Sequence, residues 1–120
     1  MSDFQHTAEA YIAVWNETDA AARRALIAGL FTEQVRYTDP LGDVTGHDGV
    51  DTFIAGAQTQ FAGLVFSLDG DADGHHDTAR FTWHLSAPGA DEPLVVGFDV
   101  ITLTDGRIAQ VHGFLDKVPS

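Results

Sequence analysis

The sequence predicts an α+β fold, with helices first and an antiparallel sheet after them. Three observations predict it. Up to Gly63, apolar residues recur at helical spacing. Beyond Gly63, segments rich in β-branched and aromatic residues take over, separated by turns that carry Gly, Asp and Pro. The stretch "TDGR" at 104–107 is a tight hairpin signal, and such hairpins join antiparallel neighbours. The 120 residues are enough for one core, so residues 1–120 are expected to form a single domain.

The elements follow in order. Phe4, Ala8, Tyr11, Ile12 and Trp15 share one face of a first helix. Asn16 to Asp19 breaks that pattern and can cap the next helix. The second helix, "DAAARRALIAGLF", is expected to turn Ala22, Leu26 and Leu30 to one side. "QVRYTD" alternates as a short strand, and "DPLGDVTG" reads as a loop. Val50, Phe53, Ile54, Ala57 and Phe61 mark a third amphipathic helix. Four strands follow: "LVFSL", "TARFTWHLS", "PLVVGFDVITL" and "RIAQVHGFL". The third of these is apolar at both parities, which predicts cover on both faces. Helices can cover one face, and a second copy of the chain is expected on the other, as a homodimer.

Composition narrows the function. The net charge of −12 repels phosphate backbones, so no nucleic-acid partner is expected. No apolar run approaches the length needed to span a bilayer, so no membrane partner is expected either. The first residues lack a basic start and a long apolar stretch, which argues against a signal peptide. The absence of cysteine excludes disulfides and thiolate metal sites and fits a cytoplasmic location. "DGDADG", Asp69 to Gly74, imitates the start of a calcium loop, but its twelfth position is Arg80 where the motif needs Glu, and strands flank it. It reads instead as a solvated hairpin turn. No histidine pair has the helical spacing of a metal site, so no metal is expected.

Four positions carry chemical interest. Asp99 is the one charged residue between 93 and 104, inside "VVGFDVITL". A buried carboxylate must find donors or keep its proton, although an Asp at a strand edge would need neither. Asp39 precedes Pro40, where it can make an ordinary Asp-Pro turn or face a cavity as a base. Tyr11 lies on the apolar face of the first helix, as a core residue or as a donor into a pocket. His112 depends on the register of the 104–107 hairpin. A two-residue loop sets Asp99 opposite His112, and a three-residue loop with a glycine bulge sets it opposite Val111.

Together these residues resemble the nuclear transport factor 2-like superfamily, in particular ketosteroid isomerases and SnoaL-like polyketide cyclases. The similarity runs through "YIAVWNETD", "LFTEQVRYTDPLG", "TGHDGVDTFI" and "VVGFDVITLTDGRI". The resemblance implies a cone-shaped fold, with a strongly bent sheet wrapped around the helices and an apolar pocket inside. It also implies roles. Asp39 in "DPLG" matches the base of ketosteroid isomerases, while Tyr11 in "AYIAVWN" and Asp99 in "GFDV" match their oxyanion donors. Ketosteroid isomerases are a well-known case of a carboxylic acid held neutral by an apolar site. Trp15 and Phe53 fall where relatives line the cavity, and Val111 and His112 are candidate ligand contacts of the last strand. Gly113 stands near the position of the cyclase-type acid, which argues against simple cyclase chemistry.

The expected activity is therefore an isomerase-type proton transfer next to a carbonyl of a small hydrophobic molecule. Asp39 would be the base, and Tyr11 and protonated Asp99 the donors to the enolate oxygen. No cofactor is needed for that chemistry. Two alternatives stand beside it: a non-catalytic binding protein with the same pocket, and a hydrolase or dehydratase in which Asp39 or a His112–Asp99 pair activates water.

Overall fold

The computed structural model describes residues 3–119. Its elements run α1 (Phe4–Asn16), α2 (Ala20–Leu30), β1 (Phe31–Asp39), β2 (Gly42–Thr45), α3 (Gly46–Gln60), β3 (Val65–His75), β4 (Thr78–Ser86), β5 (Val95–Thr104) and β6 (Arg107–Lys117). The strands make one open, bent sheet in the order β2-β1-β6-β5-β4-β3. Three helices pack on it, as the sequence predicts. The sheet is mixed: β1 runs parallel to β6, and every other pair is antiparallel. That one parallel contact arises because β1 and β6 are not joined by a hairpin. The chain leaves β1 through β2 and α3 and returns only as the last strand.

Local chemistry explains the helix starts. Asp3 caps α1 by accepting from the His6 N–H, and Asp19 caps α2 by accepting from the Ala22 N–H. The buried face of α1 is Ala8, Tyr11, Ile12, Val14 and Trp15, close to the periodic set. On α2 the sequence reading is corrected. Arg23 and Ile27 are the buried residues, and Leu26 is exposed. An ion pair reverses the apolar pattern: Arg23 Nε lies 2.6 Å from Asp51 Oδ1 on α3, and Arg24 Nε lies 3.2 Å from Asp51 Oδ2. Arg23 also donates to Gln58, whose amide in turn donates to the carbonyls of Trp15 and Glu17. One buried network thus joins all three helices.

Two further readings change. Asp69 to Gly74 is not a turn; it lies inside β3, where the register shifts between Asp69 and Asp73. The reversal comes later, around His76, which takes a φ of 52°. The segment after Pro40 is also more ordered than a loop, since Gly42–Thr45 pairs with β1.

The "TDGR" hairpin does close through a two-residue loop, with Asp105 and Gly106 both at positive φ and Thr104 opposite Arg107. Leu103 then faces Ile108 and Thr102 faces Gln110, so Ala109 is an extra residue. That bulge sets Asp99 opposite Gly113, not His112 or Val111. His112 pairs with Val100 on the outer side of the sheet, since successive strand residues alternate faces.

Candidate active site

The inner face of the sheet and the helices line an open cleft of about 1040 Å³. Its wall includes Tyr11 and Trp15 from α1, Tyr37 and Asp39 from β1, Phe53 from α3 and Asp99 from β5. Strand alternation explains two of these. Tyr37 and Asp39 sit two residues apart on β1 and so share its inner face. Asp99 occupies the inner parity of β5 with Val95, Gly97 and Ile101.

Asp39 is held by three donors. The backbone N–H groups of Leu41 and Gly42 donate to Oδ1 at 2.7 and 3.0 Å, which is an Asx-type turn that Asp39 initiates across Pro40. The Tyr37 hydroxyl donates to Oδ2 at 2.6 Å. Burial, with Asp99 and Asp39 nearby, pushes the Tyr37 phenol far above its ordinary pKa, so it serves as a neutral donor.

Asp99 lives in the opposite environment. It is 3% exposed and accepts one hydrogen bond, from Trp83 Nε1 at 3.1 Å. Burial pushes its carboxyl up to about 6; Tyr11 and Trp83 pull the other way, and the charge of Asp39 adds to the rise. Tyr11 is also raised well above its ordinary value, mainly by burial and then by Asp99. Its hydroxyl is close enough for Asp99 to feel it, yet no acceptor meets hydrogen-bond geometry with it.

Three glycines make room for this arrangement. A Cβ on Gly97 would strike Phe114 O and the Trp83 ring, whose Cε2 would be 2.8 Å away, so glycine lets Trp83 lie across β5 and reach Asp99. A Cβ on Gly42 would strike the Phe53 ring that covers the Asp39 turn. A Cβ on Gly113 would sit 3.0 Å from Asp99 Oδ1 and 3.1 Å from Asp39 Cβ. The absent side chain at Gly113 is what leaves space between the two acids.

Of the residues singled out in the sequence, Tyr11, Trp15, Asp39, Phe53 and Asp99 meet at one cavity. Val111 does not, since it is fully buried in the core opposite Ile101 and Tyr37. His112 does not either; its ring lies within hydrogen-bond distance of Thr38 Oγ1 and Gln110 Oε1, away from Asp99. This removes the His112–Asp99 pair as an activator of water. Sequence reasoning missed Tyr37 and Trp83. Tyr37 was within reach, because a residue two before Asp39 on a strand must share its face. Trp83 required the β4–β5 register, which places it opposite Gly97.

Comparison with known proteins adds the lineage. The family model described as "SnoaL-like domain" matches residues 8–111. The chain belongs to the SnoaL-like family. Among solved structures, this SnoaL-like chain is 40% identical to a candidate isomerase of the SnoaL-like family from Agrobacterium tumefaciens str. C58, covering 95% of this chain and 99% of that one, with a TM-score of 0.88. A candidate ketosteroid isomerase from Kribbella flavida is 20% identical, with 97% and 79% coverage and a TM-score of 0.71. A candidate SnoaL-like polyketide cyclase from Jannaschia sp. CCS1 is 18% identical, with 97% and 90% coverage and a TM-score of 0.71. The last two share the fold. A search of curated proteins finds no match. No helix among the described residues is long and apolar enough to cross a membrane.

Proposed function

We propose that this SnoaL-like protein is an isomerase-type enzyme that moves a proton next to a carbonyl of a small hydrophobic molecule. One observation carries the reading: two carboxyl groups flank Gly113 in one cavity, in contrasting environments. Asp39, fixed by three donors, is the base; the one open lone-pair direction on its Oδ2 takes the proton from the carbon beside the carbonyl. The electron pair left on carbon moves to the carbonyl oxygen, which becomes an enolate. Tyr11 and Asp99 donate to that oxygen. Asp99 is already shut away from water, and a ligand oxygen that accepts from its carboxyl favours the protonated, donating form further. Asp39 then returns the proton to the same or another carbon of the ligand, and no net charge is left behind.

A binding-only reading also has an observation in its favour. Three hydrogen bonds give Asp39 a structural job as a turn residue, which would hold without any chemistry. Deuterium exchange separates the two. With 2-tetralone as probe in D2O, the wild type should speed exchange at the carbon between ring and carbonyl, and Asp39→Asn should abolish that gain while binding the ketone as well as before. Binding by the wild type without accelerated exchange would establish the binding-only reading.

A further inference from the structure

Two buried polar atoms in the cavity wall have no hydrogen-bond partner: Tyr11 Oη and Trp15 Nε1. Their residues are 2% and 8% exposed. The other tryptophan differs, since Trp83 spends its indole N–H on Asp99. A buried N–H left without an acceptor carries its full desolvation penalty, so native proteins rarely leave one without reason. Tyr11 and Trp15 stand at i and i+4 on α1, hence on the same face, with ring centroids 6.2 Å apart. Burial dominates the raised pKa of Tyr11, and among the smaller influences the Trp15 indole lowers it, as an N–H beside the phenol oxygen does.

The charge of the wall limits what these donors can serve. It carries Asp39, Asp48 and Asp99, and no Lys, Arg or His among the described residues. An anion would meet like charges there, and a cation would leave both donors unpaired. A neutral oxygen acceptor on an apolar body fits both features. The two lone pairs of a carbonyl oxygen take these two donors, and the third lone pair that the oxygen gains as an enolate is left for Asp99.

We infer that Trp15 is a ligand-binding residue whose indole N–H joins the Tyr11 hydroxyl in donating to the oxygen of a neutral, apolar carbonyl compound. The inference deepens the proton-transfer reading and rests on it for the identity of that oxygen as a carbonyl. Recognition itself needs no turnover, and Trp15 sets ligand preference by adding affinity for those with an oxygen at that end.

Nuclear magnetic resonance tests this on the intact protein. The sequence has two tryptophans, so the indole region of a nitrogen–proton spectrum holds two signals, assignable through Trp15→Phe and Trp83→Phe. 2-Tetralone and its hydrocarbon counterpart tetralin are the probes, because they share a shape and a ring current and differ in the oxygen. The Trp15 indole proton should move downfield with the ketone and stay nearly still with tetralin. Trp15→Phe should weaken ketone binding about tenfold, the scale of one lost hydrogen bond, and leave tetralin affinity unchanged. Equal movement with both probes overturns the inference, as does a still Trp15 signal at the solubility limit of the ketone. Unchanged ketone affinity in a folded Trp15→Phe overturns it too. The two readings fail separately: exchange without the Trp15 shift sinks this one alone, and the shift without exchange sinks only the proton transfer.

Discussion

Asp39 and Asp99 reach towards the same glycine from two different strands. Asp39 comes from β1 and Asp99 from β5, and Gly113 on β6 lies between them in the sheet order. A methyl group on Gly113 would press on both, 3.0 Å from Asp99 Oδ1 and 3.1 Å from Asp39 Cβ. Neither neighbour yields freely, because Asp39 is tied by three hydrogen bonds and Asp99 by one. Gly113→Ala should therefore cost about 1–3 kcal/mol of stability through overpacking. It should also cut ketone exchange at least tenfold, since misplacing a catalytic group by a fraction of an ångström is expensive. Urea denaturation and deuterium exchange check the two effects. Full activity in Gly113→Ala would show that the spacing of the acids is not used.

Asp99 ties stability to pH, and the sign is fixed by the direction of its shift. Its ordinary value of 3.8 applies to the unfolded chain, and burial raises it to about 6 in the fold. The folded state thus holds the proton more tightly. Its contribution is fully present below about pH 4 and is lost as pH rises through about 6. At about 1.36 kcal/mol per unit, the loss is about 3 kcal/mol at most. Asp99→Asn keeps a neutral side chain at every pH and escapes it. Relative to wild type, this variant should gain about 1–3 kcal/mol between pH 3.5 and pH 7.5, read by denaturation at both values. A difference that does not change with pH would mean that Asp99 ionises in the fold as freely as in water.

The ion pair beneath α2 makes the opposite prediction. Burial raises the Asp51 carboxyl, but the hydrogen bonds and charges of Arg23 and Arg24 outweigh it, and the net shift is downward. Its contribution is present above about pH 4 and is lost as pH falls below that. Asp51→Ala strands the buried Arg23 guanidinium and should destabilise the protein by about 3–5 kcal/mol at neutral pH. Replacing both partners, Arg23→Met with Asp51→Leu, should recover most of that loss, because no buried charge is then left alone. A double variant as unstable as the single one would show that the network around Gln58, and not the charge pair, holds the helices.

The sequence disclosed the parts of the site that depend on local pattern. Tyr11 and Trp15 follow from helical period, and Asp99 from being the one charge in an apolar strand. What it could not disclose depends on long-range register or on a partner far along the chain. The hairpin loop at Asp105-Gly106 is legible, but the extra residue at Ala109 is not, and that single residue turns His112 away from Asp99. The buried face of α2 is hidden for a similar reason. Arg23 reads as a solvent-facing residue until Asp51, 28 positions on, is placed beside it. Trp83 escapes notice because only the pairing of β4 with β5 puts a glycine beneath its ring.

The outer face of the sheet carries the remaining prediction. Phe98 and Phe114 stack there with centroids 4.9 Å apart and planes 13° apart, and Phe114 is 48% exposed. Val96 and Val100 flank them on the same face of β5, half-buried. The polar side chains at the neighbouring outward positions of β4, β5 and β6 include Thr82, Thr102, Gln110, His84, His112 and Arg80, and Asp69 of β3 reaches to 3.4 Å from His84. On a chain with a net charge of −12, an apolar patch edged by Arg80 and two histidines, with the carboxylates of Asp69 and Asp73 one strand further out, is where a second copy meets the least repulsion. A two-fold axis through the stacked rings would bring identical patches together. The expected assembly is a homodimer across this face. Sedimentation should give a dimer for the wild type and a monomer for Phe114→Glu, which places two carboxylates at the centre of the contact. Because Phe114 points away from the cavity, that variant should still bind 2-tetralone. A wild type that sediments as a monomer at high concentration would leave the outer face without a partner copy and overturn the assembly.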